Sequence, residues 1–443
     1  MENELFEKAP IPRAYFTLAV PVVLGMVVSL IYNMADTFFI AQTGNTALVA
    51  GVSLGAPVFT LMIALGDIFG LGGSSVISRL FGAGRNEDGK RTSAFCFWAA
   101  IGLGVAVAAI MLLFRNPILR MLGTEEATFE YARAYYTGIA IGAPVIIAVY
   151  TPTNVLRSDG LAVQSMLGTV GGTVVNIVLD PLFISAMGWG AAGAAAATVI
   201  GNAVTLGILA NFTTAKSTRL SISPLIGHVS ASELREILAI GIPASVTNLM
   251  QSLSVALTNR FLIAYGTSAV AAMGIALKVN MITALVLIGF AFGGQPLVGF
   301  NYGAGNRERL RSVLKFAYGF MAALSLVLSI IVIVAAKSLI QAFLDDPAIV
   351  ALGVPMLRAQ QLSMVFMGFV LVSTCIFQSI GDALGAFLLS MSRQGVIFAV
   401  VLVAANALCG IGGVIAAQPI SDVLTALLAL VLLHRQSHSL LRK

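Results

Sequence analysis

The tetrapeptide Phe81-Gly82-Ala83-Gly84 returns 221 residues later as Tyr302-Gly303-Ala304-Gly305. Each copy ends a long apolar run, and each is followed by an arginine-rich run leading into the next apolar segment. Two more anchors keep the same order and nearly the same offset. Ala19-Val20-Pro21 stands opposite Gly241-Ile242-Pro243 at 222, and Arg157-Ser158-Asp159-Gly160 stands opposite Gln378-Ser379-Ile380-Gly381 at 221. The chain is a tandem duplication, so the two halves share a scaffold. Neither Gly-Ala-Gly copy is followed by the Lys-Ser/Thr of a phosphate loop; both read as tight turns.

The segments between the anchors are too apolar for a soluble protein. Hydrophobic residues make up 58% of the 443 and charged residues 10%, with a mean hydropathy of +0.96; an ordinary globular chain is about 25% charged. A disordered polar chain is excluded for the opposite reason. Crossing the ~30 Å hydrocarbon layer takes about 20 apolar residues in a helix, and twelve windows of that length occur. The sequence therefore predicts an all-α polytopic membrane protein. Its twelve transmembrane helices form two pseudo-symmetric six-helix lobes, 14–212 and 235–433. Outside them lie a segment at 1–13, a linker at 213–234 and a tail at 434–443. Six is even, so both halves enter from the same side, a parallel repeat of the kind that transporters use to place a cavity between two lobes.

The net charge of +6 does not point to nucleic acid, because the basic residues sit in short connections between apolar runs. One alternating set of connections carries Arg79, Arg85, Lys90, Arg91, Arg157, Lys216, Arg219, Arg307, Arg309, Arg311 and Lys315. By the positive-inside rule this set, and with it both termini, faces the cytoplasm of a cell (inner) membrane, against anionic lipid headgroups. No cleavable signal pattern opens the chain. Cys96, Cys375 and Cys409 have no metal or disulfide spacing and read as packing residues. The three histidines, His228, His434 and His438, fall in the linker and tail, which speaks against a His-based hydrolase or a zinc enzyme.

Ionisable residues inside the spans are the sharpest signal, since each costs at least ~2.5–3.5 kcal/mol to insert. Asp36 lies deep in the first helix. In the fifth, Asn176 and Asp180 are four apart and project from one face; Asp180, next to Pro181, could instead cap a helix end. Carboxylate and amide oxygens on converging helices suit a hard cation such as Na+, or a proton held on one carboxyl. Pro21, fifteen residues before Asp36, removes a backbone hydrogen bond and either bends the first helix statically or lets it take two shapes. Asp67, between Gly66 and Gly70, could serve a proton route or pair with a basic side chain. Arg260 and Lys278 could pair with Asp67 or Asp422, or snorkel to an interface. Met26, Tyr32, Met34, Asp67, Gln251, Lys278 and Met281 are candidates for a substrate cavity, methionine being adaptable, though any one methionine more often faces lipid.

These features together resemble the multidrug and toxic compound extrusion (MATE) transporters over essentially the whole chain. The resemblance rests on the helix-one proline followed by Asp36, the duplicated Gly-Ala-Gly loops, Asn154-x-x-Arg157-Ser158-x-Gly160, and the pair Asn176 and Asp180. It implies a cation site on Asp36, Asn154, Asn176, Asp180 and Thr198, with Na+ able to bind at the first four. Some branches also carry acids on helices seven and ten; here Gln251 and the region of Met367 offer none. At the repeat offset Asp36 falls opposite Thr258, Asn154 opposite Cys375, Asn176 opposite Ile397, Asp180 opposite Val401 and Thr198 opposite Pro419.

The resemblance implies an H+- or Na+-coupled antiporter rather than an enzyme. Such a protein exports amphipathic, often cationic small organic molecules by alternating access between two lobes. It would need no cofactor and would act as a monomer among membrane lipid. The alternative is a lipid-linked oligosaccharide flippase of the same superfamily, for which more basic cavity residues are expected.

Overall fold

The computed structural model describes residues 4–441, and side chains through Gln436. The first three residues of the N-terminal segment, and Arg442 and Lys443 of the tail, lie outside the described residues. Among the described residues there is no strand, and twelve helices are long and apolar enough to cross a membrane. We number them α1 Ile11–Gln42, α2 Thr46–Gly82, α3 Asn86–Leu113, α4 Glu126–Ser158, α5 Ala162–Ala186 and α6 Gly190–Lys216. The second six are α7 Ala231–Tyr265, α8 Thr267–Gly303, α9 Arg307–Phe343, α10 Pro347–Ile380, α11 Ala383–Cys409 and α12 Ile411–Leu441. Large apolar side chains such as Leu113, Val334 and Leu408 stand exposed on these helices. That is sensible only where the surrounding solvent is lipid.

The duplication is visible in individual hydrogen bonds. The Ser158 hydroxyl donates to the Ser74 carbonyl at 3.1 Å, and 221 residues on Ser379 donates to the Gln295 carbonyl at 3.1 Å. The Gly-Ala-Gly turns close on Gly84 and Gly305, with φ of 75° and 68°, a region that only glycine enters without strain. Along α12 the register slips by one. Gly190 and Gly410 share φ near 55° (54° and 56°), and the Thr205 and Thr425 hydroxyls each bond the carbonyl four residues back. Offset 220 therefore holds here, and Thr198 falls opposite Gln418 rather than Pro419.

Two compact units emerge. Among the described residues, one comprises Leu24–Ser245 with Glu4 and Leu5; the other comprises Phe6–Val23 with residues 246–441. In the first, a core around Met62, Tyr136, Ile139 and Ile146 joins α2 and α4. The opening turns of α7 pack there too, Arg79 pairing with Glu236 at 3.1 Å. In the second, Met273, Ala276, Ile340, Met356 and Leu402 form the core. The first turns of the chain dock on that unit. The Phe6 ring stacks on Phe300 with centroids 4.9 Å apart, Tyr15 donates to the Phe290 carbonyl at 2.8 Å, and Arg309 donates to the carbonyls of Phe6 and Ala9 at 2.6 Å. The divisions fall two residues past Pro21 in α1 and two past Pro243 in α7. These are repeat-equivalent prolines, each costing an interior helix about 3 kcal/mol.

The stretch between α6 and α7 is shorter than expected from sequence, because α6 runs to Lys216 and α7 starts at Ala231. It is strapped to the first unit. Arg219 bonds Asp159 at 2.7 Å and lies 4.4 Å above the Phe81 ring, Ser217 donates to Asp159 at 2.5 Å, and Trp98 donates to the Ile222 carbonyl at 2.8 Å. Cys96 and Cys375 are buried as packing residues, whereas Cys409, at the end of α11, is exposed.

Candidate cation site

The site grows from a close approach of α5 and α6. A side chain on Gly172 would strike the Gly201 carbonyl and Thr205, and one on Gly201 would lie 2.8 Å from the Asn176 Cβ. Two glycines therefore let the backbones touch, and the residues flanking that contact lose all access to solvent. Asn176, Asp180 and Thr198 are 3%, 0% and 2% exposed. From α1, the Tyr32 hydroxyl meets the Thr198 hydroxyl at 3.3 Å. Asp36 follows Tyr32 by four residues, on the same face. Asp36 and Asp180 lie within electrostatic reach of each other and of Tyr135 of α4.

What sets this cluster apart is what its polar atoms do not do. Oδ1 of Asp36, both carboxylate oxygens of Asp180, and both amide atoms of Asn176 are buried without a hydrogen-bond partner. Five such atoms on three converging residues are unusual, because each unpaired buried polar group costs roughly 1–3 kcal/mol, and more when charged. The oxygen-rich donor set fits a hard cation or a proton. Among the described residues no three His, Cys, Asp or Glu side chains cluster as a transition-metal site.

Asp180 is not a helix cap. The helix runs through Pro181 and widens into a π turn over Leu182–Ala186, a distortion frequent at functional sites. The proline after the carboxylate was the available signal for it. Asn154 is engaged elsewhere: its amide donates to the Tyr150 carbonyl at 2.8 Å and accepts from Arg157 at 3.2 Å. Arg157 in turn lies within electrostatic reach of Asp67, in the same unit.

Asp422 has neither Arg260 nor Lys278 as its hydrogen-bonding partner; both of those side chains are exposed. Arg393 of α11 donates to its Oδ1 at 3.0 Å, Gln418 donates to the same oxygen at 3.2 Å, and Ser363 donates to Oδ2. Sequence reasoning missed Arg393, whose span reads as plain membrane helix. Of the other cavity candidates, Met26 and Tyr32 are half-buried, and Met34 is exposed on α1. Gln251, Lys278 and Met281 are exposed on α7 and α8.

With this geometry in hand, the comparisons with known proteins are informative. The MatE family profile matches residues 21–182 and again 243–404. The multidrug export protein MepA of Staphylococcus haemolyticus is 29% identical over 97% of this chain and 94% of its own length. A crystal structure of a MATE protein in complex with MaD3S superposes with a TM-score of 0.93 at 26% identity, covering 100% of this chain and 99% of the other. The outward-facing conformation of a multidrug resistance MATE family transporter of the MOP superfamily gives 0.91 at 28% identity, with the same coverage.

Proposed function

The chain belongs to the MatE family, and on that premise we propose that it is a cation-coupled antiporter exporting amphipathic, often cationic organic compounds. In coarser terms it is a multi-pass multidrug efflux transporter, not an enzyme, and needs no cofactor. It sits in the cell membrane with both termini cytoplasmic, works as a monomer, and couples export to entry of Na+ or H+.

The observation that supports coupling is the set of five unpaired polar atoms on Asp36, Asn176 and Asp180. Two carboxylates removed from water repel one another, and a bound proton or Na+ relieves both the repulsion and the missing bonds. An ion drives transport only if it binds one conformation better than the other. Asp36 shares a helix with Pro21, so ion binding can bias the shape of that helix. One charge crossing 100 mV supplies ~2.3 kcal/mol, enough for a roughly fiftyfold gradient of a neutral substrate.

The test is transport in proteoliposomes with Na+ and proton gradients imposed separately. One of the two should drive export, and Asp36→Asn should abolish that drive while substrate binding persists. Export that ignores both gradients, or coupled export that survives Asp36→Asn and fails in Gln251→Ala, would overturn the reading.

A further inference from the structure

A second feature of the first unit shares no residue with the cation site. A crevice of about 600 Å3 opens between the end of α3, the first turns of α4 and the first turns of α6. Its lining changes character along the helices. Arg115, just past α3, and Glu130 and Arg133, in the opening turns of α4, stand at one end. Further along the helices stand Ile141, two turns on in α4, and Ile200 of α6, and both are exposed. The eight residues from Arg133 to Ile141 rise roughly 12 Å along a helix. That is the spacing from a headgroup into the upper acyl chain.

We propose that this crevice is a binding site for an anionic membrane phospholipid, with its phosphate between Arg115 and Arg133 and one acyl chain along α4 and α6. Three observations carry it. The crevice is walled on its α6 side by small residues, Ala192 and Ala196, whose methyl groups leave room for a chain, and Gly138 lets α4 and α6 approach beneath it, a Cβ there lying 2.6 Å from that of Ala195. Both arginines stay at its mouth: Arg115 is held by a long 3.5 Å bond to Thr137, and Arg133 pairs with Glu130 at 3.1 Å. Glu130 neutralises one of the two guanidiniums, so the mouth keeps one net positive charge. That favours an anionic headgroup over a zwitterionic one, and guanidinium is the side chain best matched to phosphate. Exposed Leu113, Phe114 and Met121 flank Arg115, as expected of a segment sitting at a bilayer interface.

The purified, delipidated full-length protein should retain phosphatidylglycerol about tenfold more strongly than phosphatidylcholine of the same chains, read by native mass spectrometry. Arg115→Gln with Arg133→Gln should remove that preference, and Arg120→Gln should leave it intact. Ala192→Trp fills the crevice on an exposed side chain and should lower retention of both lipids, which keeps the test decisive if the double variant folds poorly. Equal retention of the two lipids, an unchanged preference in the double variant, or equal binding of glycerol phosphate alone would overturn the proposal. Transport is not the readout, so this outcome is independent of the coupling ion.

Discussion

Asp180 and Asp422 are both 0% exposed, both on membrane helices, and their bonding is opposite. Neither oxygen of Asp180 has a partner, whereas Asp422 is met by Arg393, Gln418 and Ser363. Burial of a carboxylate therefore does not by itself separate the two; unmet hydrogen-bonding capacity does. The repeat explains how the two arose on one scaffold. Thr198 is opposite Gln418, which donates to Asp422, while Asp36, Asn176 and Asp180 are opposite Thr258, Ile397 and Val401. In the second half the carboxylate comes with its own counter-charge. In the first, Asp180 comes with none.

The largest effect that would break this comparison is on transport. Asp36→Asn should reduce ion-driven export by at least about a hundredfold in proteoliposomes, and Asp180→Asn by less, because Asp36 remains to hold the ion. Next comes stability, where the two aspartates should move in opposite directions. Asp422→Asn leaves the Arg393 guanidinium buried without its counter-ion and should destabilise the protein by about 3–5 kcal/mol. Asp180→Asn removes an unpaired buried charge and should leave the thermal midpoint unchanged or higher in buffer without the coupling ion. A large loss of midpoint in Asp180→Asn would show that its carboxylate has a structural partner. A smaller effect separates the sites by ligand. At about a hundred times its dissociation constant, the coupling ion should stabilise the wild type by ~2.7 kcal/mol. That gain should vanish in Asp36→Asn and persist in a C-terminal control such as Gln251→Ala.

Much of this was legible in the sequence, and the physical reason is the membrane. A helix must bring about 20 apolar residues to cross it, so the twelve spans stand out by composition. Asp36, Asn176 and Asp180 stand out because polar atoms there are expensive, and four-residue spacing puts the last two on one face. Pairings set by packing were not legible. Arg393 and Asp422 are 29 residues apart on two consecutive helices, and nothing in composition prefers Arg393 to Lys278. The engagement of Asn154 by Arg157, three residues on, was available as a helical spacing but carries no weight until the side chains are seen. The slip of α12 from 221 to 220 comes where the connections differ between the halves, Met187–Trp189 after a π turn in one and Gly410 alone in the other.

The mildest test compares the two prolines. Pro21 and Pro243 occupy equivalent positions, and each precedes by two residues the point where its helix passes from one compact unit to the other. A proline in a helix interior removes one backbone hydrogen bond, so replacement by alanine should straighten and stabilise either helix. The helices differ beyond the proline. Fifteen residues on, α1 presents Asp36, and α7 presents Thr258 at the same place. If the bend serves only packing, Pro21→Ala and Pro243→Ala should have equal, small effects on export. If the shape of α1 responds to the ion at Asp36, Pro21→Ala should slow ion-driven export several-fold more than Pro243→Ala. It should do so with expression and thermal midpoint maintained, because the lost step is a conformational change and not the fold. Equal export rates in the two variants, measured under the same imposed gradient, would reduce Pro21 to a static kink and leave Asp36 acting without its helix.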